Sequence, residues 1–178
     1  MAGTVCRGDV VLVDELGQGW VSWAIAVGAR LTYRRDKEAA KWTHVAIVYE
    51  ATSQDPNTIS IVEARAQTGV HKAFLSKYRK RKIVHTNVGD HDWAQVQEFL
   101  DDVLRKREGY DFIANIGLFL WAVTGSQLCI QRAGTATCSG LVACALTRRG
   151  FVWSRPPFAM TPAGIAVDLL DRFGCKST

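Results

Sequence analysis

ATCSGLVACAL at residues 136–146 and WTHVAIVYE at residues 42–50 are the two stretches that decide the fold. In the first, small and hydroxyl residues precede an apolar stripe beginning at Leu141, which predicts a helix with Cys138 in its first turn. In the second, a β-branched run predicts a strand that carries His44. A thiol in the first turn of a helix lies near unpaired backbone N–H groups and the positive end of the helix dipole, which favour its thiolate. Cys138 is therefore a candidate nucleophile, and its alternative role is packing in the core.

Length and composition are those of a globular protein. The 178 residues, 48% of them hydrophobic, predict one domain over residues 1–178 with a sizeable core. No apolar run preceded by basic residues occurs between Met1 and Val13, so we expect no signal peptide and a cytoplasmic location. The most apolar stretch, residues 112–123, is shorter than the roughly 20 residues that a membrane-spanning helix needs. It predicts a buried helix, and hence no membrane span.

The cysteines and the charges exclude further classes. Five cysteines at irregular spacing, with no CxxC pair, argue against a disulfide framework or a zinc knuckle. The formal net charge of +5 is concentrated in residues 77–82, with more at residues 34–35. Such a patch attracts nucleic acid, anionic lipid or an anionic polymer, and it is equally typical of a solvated loop. Because one aromatic residue, Tyr78, interrupts the patch and no nucleic-acid motif accompanies it, the sequence does not favour nucleic acid as a partner.

The order of predicted elements gives the fold class. Apolar runs predict strands, and apolar residues at helical spacing, with caps at Asp92 and Thr161, predict helices. The predicted strands are residues 10–13, 45–49, 58–64 and 82–86, and the predicted helices are residues 19–31, 92–107 and 161–173. A strand, a helix, a meander of strands and then helices predict an α+β protein with helices packed on an antiparallel sheet.

A cysteine nucleophile needs a base, usually a histidine, and a group that orients the imidazole. If Glu50 and Thr58 flank the hairpin loop, His44 lies opposite Ala64 and beside Glu63, within diagonal reach once a one-residue error in register is allowed. Glu63 ends an apolar run, and a buried carboxylate needs a partner, so Glu63 is the predicted orienting group. Glu50 lies roughly 20 Å further along the strand and ranks below it.

The remaining histidines and cysteines lack comparable contexts. Turn-like or polar surroundings predict solvated side chains for His71, His85 and His91. Packing or surface positions are expected for Cys6, Cys129, Cys144 and Cys175. The alternative for His44 is a structural role, as a hydrogen-bonded polar residue at a sheet edge next to Thr43.

Six short motifs follow one another along most of the chain, together with the Thr161-Pro162 helix start. They are Gly8-Asp9-Val10-Val11, Thr43-His44-Val45-Ala46-Ile47-Val48, Val62-Glu63-Ala64, Gly69-Val70, Gly109-Tyr110-Asp111-Phe112 and Thr137-Cys138-Ser139-Gly140-Leu141-Val142. In this order they resemble the circularly permuted papain-like hydrolases of the NlpC and p60 superfamily, which include relatives of lecithin–retinol acyltransferase. In the permuted branch the His strand precedes the Cys helix, as it does here.

The resemblance implies a permuted papain-like fold, with an antiparallel sheet or small barrel packed by helices. It implies that Cys138 is the nucleophile, His44 the base and Glu63 the orienting residue, in acyl transfer through a thioester without cofactor or metal. Gly140 departs from the family, whose members often carry Glu there, and this leaves more room near the thiol. Residues 117–133 have no counterpart. The second donor to the oxyanion stays open between Gln18, Tyr33 and others.

The leading functional expectation is hydrolysis of an amide bond in peptidoglycan, because cell-wall peptides are the commonest substrates of the superfamily. An anionic wall polymer would suit the basic surface, and a phage-encoded enzyme would be associated with the virion. The alternatives are a lipid acyl hydrolase or acyltransferase, whose groove residues 112–123 would line, and a non-catalytic structural or virion module of the same fold.

Overall fold

A computed structural model describes residues 4–15, 20–33, 38–86, 90–110 and 134–173, apart from the side chains of residues 20–24 and 90–91. In these residues the protein is α+β, with a five-stranded antiparallel sheet and four α-helices. This confirms the predicted class. The strands of the sheet, in the spatial order β4-β3-β2-β1-β5, are β1 Val10–Val13, β2 His44–Glu50, β3 Ser60–Arg65, β4 Gly69–Phe74 and β5 Arg81–Val84. The helices are α1 Trp20–Thr32, α2 Asp90–Lys106, α3 Cys138–Thr147 and α4 Pro162–Phe173.

The central strands of the sheet are buried on both faces. On one face, alternate residues such as Leu12, Ile47 and Val62 belong to the main core with apolar residues of α2, α3 and α4. On the other face, alternate residues such as Val48 and Ile61 form a smaller core with Leu75 and Tyr78. Burial on both faces explains why these strands are nearly continuous apolar runs rather than alternating ones.

The hairpin of β2 and β3 has a different register from the predicted one. Ile47 pairs with Val62 and Val48 with Ile61, so the pairing is displaced by one residue from the predicted alignment of His44 with Ala64. The loop extends through Ile59, whose N–H donates to the carbonyl of Asp55, and a bulge at Tyr49 then moves the register back by one residue. The observed register places His44 and Glu63 on the same face of the sheet.

Strand β4 was not predicted as a strand. Its polar residues obscure the alternation of apolar and polar side chains that indicates a strand. The strand nevertheless pairs with β3 along its whole length, and Glu63 stands opposite His71. Gly69 takes a positive φ of 67°, and a Cβ there would lie 2.4 Å from the carbonyl oxygen of Glu108. A close approach of two backbones therefore requires glycine at this position.

The long helix α2 begins at Asp90, so the predicted cap at Asp92 was wrong, because Asp92 lies inside the first turn. Its predicted apolar face is confirmed: Trp93, Val96, Leu100 and Val103 are buried and Leu104 is partly buried. The helix ends at Lys106, and the next residue, Arg107, takes a φ of 50° ahead of the short parallel pair β6 Gly109–Tyr110 and β7 Thr135–Ala136.

Both helix starts predicted in the C-terminal third are confirmed. The side chain of Thr137 accepts a hydrogen bond from the N–H of Gly140, 2.9 Å away, and α3 begins at Cys138. The side chain of Thr161 accepts in the same way from Gly164, and α4 begins at Pro162. Trp153 Nε1 and Ser139 Oγ then fasten α3 to the segment between the two helices.

Some predictions fall outside the described residues. They concern the apolar stretch 112–123, the stretch 117–133, the basic pair 34–35, and the residues Gln18, Cys129 and Cys175, as well as the side chain of His91. Across the part of the chain that the structure describes, no helix combines the length and apolarity needed to cross a membrane.

Candidate active site

Cys138 is the first residue of α3 and is 2% exposed. Its position follows from the local sequence, because Thr137 takes an extended conformation and caps the helix, which places the next residue in the first turn. Ser139 Oγ donates to the carbonyl of Met160 at 2.6 Å and holds this turn against the segment before α4. The thiol is thus fixed by a helix start that is anchored on two sides.

His44 is the first residue of β2, and its imidazole interacts with the Cys138 thiol, which helps to raise the pKa of the ring. Its other neighbour is Glu63, since Nε2 lies 2.6 Å from Glu63 Oε2. Contact of Nε2 with the carboxylate leaves Nδ1 as the ring nitrogen for the thiol. The structure therefore brings together the three residues singled out from the sequence, in the order thiol, imidazole, carboxylate.

Glu63 is fully buried and is surrounded by donors. Its oxygens accept from the side chains of four residues, which are His44 at 2.6 Å, Arg65 at 3.2 Å, Lys77 at 2.8 Å and the hydroxyl of Tyr78. A fifth side chain, His71, has its Nε2 3.2 Å from Oε1. A carboxylate in this setting is compensated by hydrogen bonds and by charge, which is the condition for burying it.

The pKa values of this pair move in opposite directions. Burial alone would lower the pKa of His44, but hydrogen bonds and charge interactions with Cys138 and Glu63 outweigh it and raise the pKa from 6.5 to about 9. Burial alone would raise the pKa of Glu63, but His44, Lys77 and Tyr78 outweigh it and hold that pKa well below its usual value. At neutral pH the imidazole is therefore a cation, held in that form by its two neighbours Cys138 and Glu63.

The first turn of α3 also supplies backbone donors. Gly140 N–H is taken by the capping Thr137. Within the described residues, the N–H groups of Cys138 and Ser139 have no recorded acceptor. N–H groups at a helix start, beside a nucleophile, are suited to hold the negative oxygen that forms when the sulfur attacks a carbonyl.

The expected extra room at Gly140 is not found. A Cβ there would lie 2.8 Å from Thr137 Oγ1, so the space is filled by the capping side chain. Tyr33, an open candidate for the second oxyanion donor, has its hydroxyl against α4, where a Cβ on Gly164 would lie 2.8 Å from it. Glycine at both positions is explained by close packing against a neighbouring oxygen.

The sequence reasoning missed four partners of Glu63. His71 was expected to be solvated, yet it contacts Glu63, and its side chain is 26% exposed. Lys77 and Tyr78 were assigned to a basic surface patch, and Arg65 was not singled out. The signal that could have found Tyr78 was a single aromatic residue in a basic run, since an aromatic ring tends to be buried.

A second carboxylate–histidine pair lies elsewhere. Asp9, 1% exposed, lies 2.8 Å from Nδ1 of His85, a residue predicted to be solvated, whose side chain is 33% exposed. The Asp9 oxygens further accept the backbone N–H groups of Cys6 and Thr86 at 2.9 and 3.1 Å. No group of three or more His, Cys, Asp or Glu side chains in the described ranges is arranged to hold a metal ion.

Comparison with known proteins adds no assignment: no family model, no curated protein and no solved structure matches the chain. A functional assignment therefore depends on the geometry of Cys138, His44 and Glu63.

Proposed function

We propose that the protein is a cysteine hydrolase that cleaves an amide bond in peptidoglycan by acyl transfer through a thioester. One observation carries the proposal: a buried imidazole that interacts with a thiol at a helix start and with a buried carboxylate, whose Oε2 lies 2.6 Å from Nε2. Thiol catalysis requires a nucleophile, a base and a group that orients the base, and these three residues supply all of them. Packing of the core does not require the three side chains to lie together.

The chemistry follows from the positions. The Cys138 sulfur attacks the carbonyl carbon, and the N–H groups of Cys138 and Ser139 hold the oxyanion. His44 gives its proton to the departing amine, which leaves an acyl group on the sulfur as a thioester. Water then loses a proton to His44 and attacks the thioester, which releases a carboxylic acid and restores the thiolate. Glu63 keeps the ring oriented and stabilises its charged form throughout.

The choice of peptidoglycan rests on the resemblance to permuted NlpC and p60 hydrolases, and on the order of a His strand before a Cys helix. Exposed basic residues such as Arg79 and Lys80 suit an anionic wall polymer.

The first test is thiol reactivity. The intact protein is treated with limiting iodoacetamide at neutral pH, and the modified cysteines are identified by mass spectrometry. We expect Cys138 to react first, although Cys6 is exposed, and we expect its preference to vanish in His44→Ala. Cys144 is the matched comparison within the same helix, because burial raises the pKa of its thiol.

The second test uses substrate. Purified peptidoglycan is digested, and new amine and carboxyl ends are read by mass spectrometry. Cys138→Ala should abolish release, whereas Cys144→Ala should leave it unchanged. Activity that survives in Cys138→Ala would refute the mechanism. Release of fatty acid from phospholipid, with intact peptidoglycan, would assign the lipid acyl hydrolase instead, and an unreactive Cys138 would assign a non-catalytic module.

A further inference from the structure

Two adjacent residues after β4 reach Glu63 from the same side. Lys77 Nζ lies 2.8 Å from Glu63 Oε1, and the Tyr78 hydroxyl donates to Glu63 Oε2, the oxygen that also contacts His44. The Tyr78 ring is 3% exposed, and its centroid lies 5.8 Å from that of the His44 imidazole. Each oxygen of the carboxylate is therefore held by one of two consecutive residues.

The direction of the Tyr78 hydrogen bond is set by Arg65. Arg65 donates from Nε and Nη2 to the Tyr78 oxygen, at 3.1 and 2.7 Å. An oxygen that accepts two N–H groups has its own proton free to point to Glu63. Burial and the charge of Glu63 raise the pKa of Tyr78, so the phenol keeps that proton.

Titratable groups from every neighbouring strand complete the surroundings. His44 approaches Glu63 from β2, Arg65 belongs to the same strand β3, and His71 approaches from β4. Glu15, which follows β1, pairs with Arg65 and offsets its charge. This leaves Lys77 and the Tyr78 dipole as the positive groups that no second carboxylate among these neighbours offsets.

We propose that Lys77 and Tyr78 are positioning residues of the site, which hold the Glu63 carboxylate ionised and in one orientation so that His44 faces Cys138. The proposal rests on the function proposed above. It gives a role to part of the basic run 77–82, which composition alone assigned to a surface patch. Because both groups act through Glu63, they set the potential at the imidazole and the thiol without contacting the substrate.

The test is the pH dependence of Cys138 alkylation by iodoacetamide, measured for Tyr78→Phe and Lys77→Met. Removal of a positive group makes every nearby group easier to protonate. Both limbs of the profile, meaning the two pH ranges in which the alkylation rate changes, should therefore move to higher pH by about 0.5 to 1 unit. Loosened packing would instead lower the plateau and leave the limbs in place. Lys77 has a side chain that is 42% exposed, so Lys77→Met tests the proposal even if Tyr78→Phe fails to fold.

Matched controls are Tyr49→Phe, whose hydroxyl donates to Asp101 away from the site, and Lys80→Met, an exposed lysine three residues from Lys77. Their profiles should coincide with that of the unaltered protein. Unmoved limbs in Lys77→Met, or in folded Tyr78→Phe, overturn the positioning role while the reactive thiol stands. An unreactive Cys138 in the unaltered protein overturns both proposals.

Discussion

The described part of the chain buries two carboxylates that each contact a histidine, and their other partners differ. Asp9 accepts backbone N–H groups of Cys6 and Thr86, which belong to segments far apart in the sequence. Glu63, among the described residues, is held by side chains alone. Backbone donors make Asp9 a clasp between the start of the chain and the end of β5. Side-chain donors surround Glu63, whose charge helps to raise the pKa of the His44 imidazole, and that imidazole also interacts with the Cys138 thiol.

The largest difference between the two pairs is expected in the hydrolysis rates of variants of their histidines. We expect His44→Gln to lower peptidoglycan hydrolysis by at least about 100-fold, because the base and proton donor is lost. His85→Gln, the matched change in the other pair, should keep the rate within about twofold. Both rates are measured at neutral pH at equal concentrations of folded protein. Equal losses in the two variants would show that the pairs do not differ in the way described.

The pH dependence of stability should also separate the pairs. The pKa of His44 is about 9 in the folded protein against 6.5 as its ordinary value, so folding favours the protonated ring. The stabilisation is complete below pH 6.5 and is lost as the pH rises to about 9, a change of roughly 3 kcal/mol. Urea unfolding across this range should show the fall in the unaltered protein and a flatter profile in His44→Gln. A fall of the same size in His44→Gln would mean that another group causes it.

A smaller effect is expected from the clasp. Asp9→Ala removes the acceptor of two N–H groups, one of them buried at Thr86, and should lower the free energy of unfolding by about 1 to 3 kcal/mol. Alkylation of Cys138 in the folded variant should be unchanged. Urea unfolding and iodoacetamide labelling of the same sample check both statements. Loss of thiol reactivity in folded Asp9→Ala would join the two carboxylates into one functional unit.

Sequence reasoning reached the parts of the site that local patterns encode. The capping Thr137 before Cys138 fixes a helix start, and a β-branched run fixes a strand at His44. Hairpin counting placed Glu63 beside His44 to within one residue. These features depend on neighbours in the chain, so residue order alone reveals them.

The remaining features depend on distant neighbours. The bulge at Tyr49 lies where the hairpin loop joins two strands whose apolar residues already face fixed sides of the sheet. Tyr78 and Lys77 reach Glu63 because β4 returns beside β3, and the polar alternation of β4 gave no sign of a strand. Charges in residues 77–82 read as a solvated surface, since composition does not reveal a buried carboxylate on another strand.

The bulge at Tyr49 affects which face of the sheet Glu63 occupies. If the pairing of Glu50 with Ser60 continued without it, Glu63 would stand opposite Ile47 and face the other core, away from His44. Removal of Tyr49 would instead shorten the strand without changing which side chains meet, because Val48 would still pair with Ile61 and Glu50 with Ser60. Likewise, the exposed turn at residues 52–55 lies on the far side of the bulge, where a reporter peptide can be inserted without changing which side chains meet.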